Sequence, residues 1–480
     1  VTRELQVRKG AYVDSVTLMQ VSRSAGALPG VSAALVAMAT ELNLGLAAEM
    51  GFTTPDGANP NEMLVAVEAE SDDALGSALA EVDRVLSASV TPSALDLGNA
   101  PAPLTIAAAA RSGAAGFALI STPGQYAVAE AVAAVDAGLH AMVFSDNVPL
   151  AAEVALKRYA TSADTGTGAI VMGPDCGTAV IGGVGLGFAN VVRPGPVGIV
   201  AASGTGAQHL MTLLDGSDVG VSHCVGVGGR DLSEEVGGSS TLQALDLLAA
   251  DEATELVVVV SKPPAPSVAE RVEAHAKSLG KPVLFGLLGA GRPDLTATAQ
   301  AVVEALKREW QAPSRHEGAV ARGRPGGHLR GLFTGGTLCA EAAILALELL
   351  GVDDLAGAGH TMLDFGDDRF TAGRPHPMID GTLRVERMRE ELEHPTCGVL
   401  LLDVVLGHGS AADPAGELAD VVATATEADV PVVVSLVGTR DDPQGRDAQA
   451  DRLHAAGAWV FASNADAARA AVAMLDPRAS

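Results

Sequence analysis

Two short turns offer the clearest chemistry in this chain of 480 residues. Ser203-Gly204-Thr205-Gly206 and Gly335-Gly336-Thr337 each follow a β-forming run and open a helical one. A helix start leaves backbone N–H groups without partners, and its dipole end is positive, so it attracts anions. Glycine lets an oxyanion approach the backbone closely, and the hydroxyls of Ser203, Thr205 and Thr337 add donors. Taken alone, each turn reads as an anion site or as one of the many such turns that bind nothing; as a repeat pair, the two starts are expected to hold one phosphate-like anion between them.

Other groups stand at turns where chemistry is affordable. Gly228 and Gly229 begin GGRDLSEE, and Asp364 and Asp367 lie in DFGDDRF. Both stretches read either as cleft lining or, at Ser233 with its nearby acids, as ordinary helix capping. In GRPHPMID, Arg374 has the planar fork that clamps a carboxylate or phosphate, and His376 is of the type that moves a proton near neutral pH. The alternative is a structural turn stiffened by two prolines. His408, flanked by glycines in GHG, reads as a phosphate acceptor or as a plain loop histidine. Asp146, Asn147, Asp175 and Cys176 fall at the carboxyl ends of strand-like runs, where ligands of parallel sheets sit. Cys176 is either a nucleophile there or a small packed residue. Lys262 and Lys281 stand near strand ends with no role that the sequence assigns. GGVGLG (182–187) lacks the strand-to-helix context and distal acid of a dinucleotide fingerprint.

The elements that must position these groups are mostly alternating strands and helices, the pattern of parallel sheets. In residues 1–95, Tyr12 to Val21 reads as a strand and Ser32 to Met50 as a helix. Asn61 to Glu70 reads as a strand, followed by a helix capped at Ser71 or Asp72. Domain boundaries are expected at 95 and, from the prolines, at 195, with a Gly/Pro/Arg-rich linker at 311–330. The units at 196–310 and 331–480 repeat four blocks in one order. VGIVAASGTGAQHL pairs with LRGLFTGGTLCAEA, and SHCVGVGGRDLSEEVGG with HTMLDFGDDRFTAGRP. ELVVVVSKPP pairs with GVLLLDVVLGHG, and KPVLFGLLGAGRP with VPVVVSLVGTRDDP. Two similar sheets packed face to face about a pseudo-two-fold axis are expected.

Composition sets the bounds. The chain is 48% hydrophobic but only 3% aromatic, as Ala/Val/Gly-rich layered α/β packing requires. A formal charge of −27 argues against nucleic acid and anionic membranes as partners. The four cysteines are isolated, with no CxxC or Cys/His ligand cluster, so no metal site is expected. The opening VTRELQVRKGAYVDS has no signal-peptide pattern and no run reads as a membrane span, so a cytoplasmic, reducing setting is expected.

At FALISTPGQYAVAEAVAAVDAGLHAMVFSDNVP, MGPDCGTAVIGG, GIVAASGTGAQ and GVGGRDLSEEVGG the chain resembles the α subunit of succinyl-CoA synthetase. Its second half resembles the CoA-ligase domain of that enzyme's β subunit. SDNVP, GGTLC, GRPHPMID and LLDVVLGHG make it most similar to the FdrA proteins, over nearly the whole chain. The resemblance implies an α/β fold: a small N-terminal domain, a Rossmann-like CoA-binding domain (96–195), then two flavodoxin-like CoA-ligase domains. It also implies other subunits of a hetero-oligomer or a homo-oligomer, and a functional link to a carbamate kinase. The activity it implies is carbamoyl transfer, with carbamoyl phosphate or phosphate as ligand. Acyl-CoA ligation with CoA, or a non-catalytic scaffold or sensor, are the alternatives. The loop GLLGAGRPDLTATAQ has no histidine where the α subunit carries its active-site histidine. The early Gly-rich CoA loop has no clear counterpart, and no ATP-grasp segment is present.

Overall fold

The computed structural model describes residues 2–9, 15–55, 58–59, 62–89, 103–111, 113, 115–162, 166–371 and 374–475. The chain divides into two compact units: Val1–Leu104 with Thr371–Pro375, and Thr105–Phe370 with His376–Ser480.

The first unit runs β1 (Thr2–Arg8), α1 (Ser15–Gly26), β2 (Val31–Met38), α2 (Glu41–Glu49), β3 (Met63–Ala69), α3 (Asp72–Ser89). Its sheet has the order β1-β3-β2 and is antiparallel throughout. Two local readings are corrected. Ser15 to Val21, expected as part of a strand, is helical; Leu18, Val21 and Ala25 are buried at spacings of three and four. Residues 12–14 of that expectation lie outside the described ones. Ser32 to Met50 is not one helix but β2 followed by α2, broken at Thr40, whose hydroxyl caps Asn43 N–H. Small residues hid the change of period. Ser71 caps α3, accepting from Ala74 N–H at 3.2 Å. Helices α1 and α3 cover one sheet face around Val65 and Val67, and α2 covers the other around Leu64 and Ala66.

The second unit opens with α4 (Ile106–Ala110), β4 (Phe117–Ile120), α5 (Gly124–Asp136), β5 (His140–Val143), α6 (Leu150–Thr161) and β6 (Val171–Met172). The parallel sheet β4-β5-β6 carries Ala-rich helices, packed through Ala127, Ala131 and Ala134. A hairpin, β7 (Thr178–Ile181) and β8 (Val184–Gly187), comes next. Then follow β9 (Pro194–Ala202), α7 (Gly204–Gly216), β10 (Val221–Gly226), α8 (Ser239–Ala250), β11 (Leu256–Ser261), α9 (Pro266–Ala276), β12 (Val283–Leu287) and α10 (Leu295–Ala305).

The remainder is β13 (Arg315–His316), β14 (His328–Phe333), α11 (Gly336–Leu350), β15 (Thr361–Asp364), α12 (Asp368–Thr371), α13 (Thr382–Glu393), β16 (Cys397–Val405), α14 (Pro414–Glu427), β17 (Val432–Val437), α15 (Arg446–Ala455), β18 (Trp459–Phe461) and α16 (Asn464–Leu475).

The sequence repeat is a repeat of topology. The orders β12-β11-β9-β10 and β17-β16-β14-β15 correspond strand for strand, all parallel. Only the flanks differ. The β7–β8 hairpin extends the first sheet beside β10, so residues placed before the expected boundary at 195 complete the sheet after it. Pro194–Pro196 lie inside β9, at the start of a strand, where proline is tolerated. The stretch expected as a linker is laid along the second sheet. There β13 pairs with β18, and Val320 O accepts from Trp459 Nε1–H at 2.9 Å.

The two halves meet through helices rather than sheet on sheet. Helices α7 and α10 of the first pack against α11 and α16 of the second. Buried His209 on α7 accepts Asn464 N–H, at the start of α16, on Nε2 at 3.2 Å. Buried Glu341 on α11 accepts Leu295 N–H, at the start of α10, at 2.6 Å. Each glycine-started helix thus caps a helix of the other half, which fixes the two starts relative to one another.

Candidate functional site

The strands β9 and β14 end at the two glycine-rich turns, and the pseudo-symmetry brings them together. Ser203 Oγ lies 2.5 Å from Thr337 Oγ1, both buried. On the other side of the axis, a Cβ at Gly335 would lie 2.8 Å from Thr205 Oγ1. A Cβ at Gly206 would lie 2.9 Å from Thr337 Cγ2. Glycine is required here by close approach of one helix to the other. The expected anion between the two starts therefore finds no room at their contact.

To the side of this contact, the α11 start at Gly336 faces one side chain from each half. A Cβ there would collide with Asp364 Oδ2 and lie 2.5 Å from Lys262 Nζ. Lys262 follows β11 in the first half, and Asp364 ends β15 in the second; they form a loose ion pair at 3.9 Å. A lysine ammonium beside the positive end of α11 is electrostatically unfavourable unless negative charge joins it. Asp364 supplies one charge, and burial pushes its carboxyl up to about 6 against the pull of Lys262. Lys262, without a role in the sequence reading, is the group it missed. Its signal was a lysine placed immediately after a fully buried strand, at the carboxyl edge where ligands sit.

Asp403, fully buried in β16, anchors the α11 start. It accepts Thr334 N–H and Gly335 N–H, each at 2.7 Å, and pairs with buried Arg384 at 3.0 Å. At the α7 start, Ser203 caps Gly206 N–H at 2.9 Å. Buried Thr178, just beyond the GPDCG loop, lies near Gly204, 3.2 Å from where its Cβ would be.

His376 borders the same site. Its Nδ1 accepts Met378 N–H at 3.2 Å, and its Nε2 would lie 3.0 Å from a Cβ at Gly366 in the Asp364 loop. Burial pushes its pKa down to about 4. The expectation of proton transfer near neutral pH is thereby corrected: at pH 7 this imidazole is neutral, with Nε2–H as a donor. Arg374 is exposed and belongs to the first unit.

The remaining candidates have other duties. His408 is exposed; its backbone N–H donates to Ala189 O at 2.8 Å. Its flanking glycines permit close contact, since a Cβ at Gly407 (φ +111°) would lie 2.6 Å from Ala189 O. Gly228 (φ +89°) packs against the GPDCG loop, 2.5 Å from Pro174 O to its would-be Cβ. Gly229 is exposed. The capping in GGRDLSEE falls to Asp231, which accepts Thr241 N–H at 2.9 Å and pairs with buried Lys157 at 2.7 Å. Asp367 accepts Arg369 N–H at 3.1 Å within its own loop. Asp146, Asn147 and Asp175 are exposed at strand ends, the last two with φ of 53° and 56°. Cys176 is buried, its thiol is pushed up by burial, and it contacts Thr178 O at 3.6 Å, a packed residue rather than a nucleophile. Among the described residues no cluster of His, Cys, Asp and Glu suits a metal, and no helix is long and apolar enough to cross a membrane.

Comparison with known proteins agrees with this architecture. Escherichia coli K12 YahF is 35% identical over 503 aligned residues, covering 96% of each chain. This chain belongs to the FdrA-like family. Residues 1–100 of this FdrA-like chain match the family "AllF, heavy metal-associated domain", and residues 332–474 match "CoA-ligase". An Aquifex aeolicus succinate–CoA ligase [ADP-forming] subunit alpha is 26% identical over 212 residues, 43% of the FdrA-like chain and 68% of the relative. A solved dinucleotide-forming acetyl-coenzyme A synthetase of Ca. Korarchaeum cryptofilum aligns over 76% of this chain and 83% of its own, at 17% identity. Its TM-score of 0.29 is too low to carry weight.

Proposed function

We propose that the chain is an acyl-CoA-synthetase-like (acid–thiol ligase-type) subunit that binds the phosphate of an acyl phosphate over Gly336. The observation that carries this reading is the meeting of Lys262, from one half, with the start of α11, from the other. Two sources of positive potential converge on one glycine, where a bound oxyanion would take the place beside Lys262 that the Asp364 carboxylate now holds. Lys262 and the α11 N–H groups would hold the phosphate and stabilise it as it leaves, and His376 Nε2–H adds a donor. Asp364, a carboxylate at pH 7, is the group to take the proton of an incoming thiol. The acyl–oxygen bond then breaks as the carbon–sulfur bond forms. Matches to a CoA-ligase family and to a ligase α subunit support a thiol acceptor and a partner subunit, by likeness.

A second reading, carbamoyl transfer, uses the same site with carbamoyl phosphate as the acyl phosphate and nitrogen as acceptor. What favours it is the loop after β12, Gly289 to Asp294, which holds no histidine to carry phosphate. Direct transfer needs none, and a carbamate kinase would then supply or consume carbamoyl phosphate. Calorimetric titration of the chain with acetyl phosphate, carbamoyl phosphate and CoA separates the readings. Binding of acetyl phosphate and CoA supports ligation. Carbamoyl phosphate binding without CoA supports carbamoyl transfer, and no binding of either phosphate ends both.

The site also has a pH signature. As pH falls through about 6, Asp364 takes up a proton and its repulsion of a bound anion disappears. Sulfate, whose charge is constant in this range, should bind several-fold more tightly at pH 5.5 than at pH 7.5 (about 1 kcal/mol). Asp364→Asn should bind it equally at both. A wild-type affinity that does not change with pH would remove Asp364 from the site.

A further inference from the structure

The N-terminal unit matches a family described as heavy metal-associated, so its donors can be tested against that description. Cu(I) is held by thiolate, thioether and imidazole groups, and Zn(II) by thiolate and imidazole groups with carboxylates as partners. Residues 1–100 contain no cysteine and no histidine: the first histidine is His140 and the first cysteine Cys176. The thioethers are Met19, Met38, Met50 and Met63. Met38 and Met63 are 7% and 2% exposed and pack in the core with Leu18, Val21 and Val65. Met50 packs on the opposite sheet face, against the cluster of Phe52 and Leu64. Four of the described acids are engaged with neighbours. Glu68 pairs with Arg3, Asp83 with Arg8 and Glu81 with Arg84, and Asp72 accepts from Thr2 Oγ1 at 2.8 Å. The donor set does not fit a heavy metal.

We infer that this domain keeps the fold of a metal-binding module without the function: it neither binds nor delivers a heavy metal. With both sheet faces covered by its own helices, it is an independently cored building block of the chain.

Backbone-amide and methionine-methyl NMR of the full chain tests this, with one equivalent of Cu(I) or Zn(II) added in turn. Met19→Leu and Met50→Leu variants assign the two methyls outside the main core. The expected result is that no resonance of residues 2–89 moves, whether or not resonances of the cysteine- and histidine-bearing remainder do. A saturable, stoichiometric shift within residues 2–89 with either metal would overturn the inference.

Discussion

Gly336→Ala removes anion binding at the α11 start while the protein stays folded. Gly336 is the first residue of α11 and its φ is not left-handed, so alanine costs the backbone nothing and slightly favours the helix. What its methyl group meets is Asp364 Oδ2 and Lys262 Nζ, the ends of flexible side chains. Both must move away, and the methyl fills the oxyanion position. Lys262→Met gives the complementary result by removing the charge and leaving the space. Loss of one charge-assisted contact predicts roughly a 10- to 100-fold weaker affinity for sulfate or acetyl phosphate. Calorimetry beside a thermal melt checks both variants. Unchanged affinity in the two of them, with unchanged melting, would show that no anion is held there.

The second large effect falls on stability. Arg384→Met should destabilise the C-terminal half by about 3–5 kcal/mol, because it strands a fully buried carboxylate. Arg384 NH1 donates to both Asp403 Oδ1 and Asp403 O, at 3.0 and 2.6 Å. Burial pushes the Asp403 carboxyl up, and Arg384 with the Thr334 and Gly335 donors opposes it. Without arginine the carboxylate takes up a proton or drags the α11 start out of register. Urea unfolding of the variant should show an early transition. An unfolding midpoint equal to that of the wild type would mean that the pair is not the anchor described above.

The sequence is informative where one residue type meets one local rule. Strand after helix after strand, the repeat of four blocks and the two glycine-started helices are local patterns, fixed by side-chain period and by the special freedom of glycine. All three stand in the structure. The N-terminal misreadings came from the same source: in Ser32 to Met50, alanine and other small residues satisfy helical and extended periods alike, and only burial at Val36 and Met38 and the Thr40 cap separate them.

The make-up of the site was decided elsewhere. Ser203 and Thr337 are 134 residues apart, and Lys262 and Asp364 are 102 apart in number (364 − 262), each pair joined across the pseudo-two-fold axis. Nothing in the spacing of a chain reports which residue of one half will face which of the other. That is set by the reciprocal capping of α16 by His209 and of α10 by Glu341, and by the anchoring of α11 on Asp403. The same packing brought the two turns into contact instead of leaving a gap. It withdrew His376 into a setting where it stays neutral and left His408 exposed. Residue type by itself determined what chemistry was affordable; tertiary burial decided which groups are charged and which of them meet, because desolvation and through-space contact are properties of the fold and not of the chain.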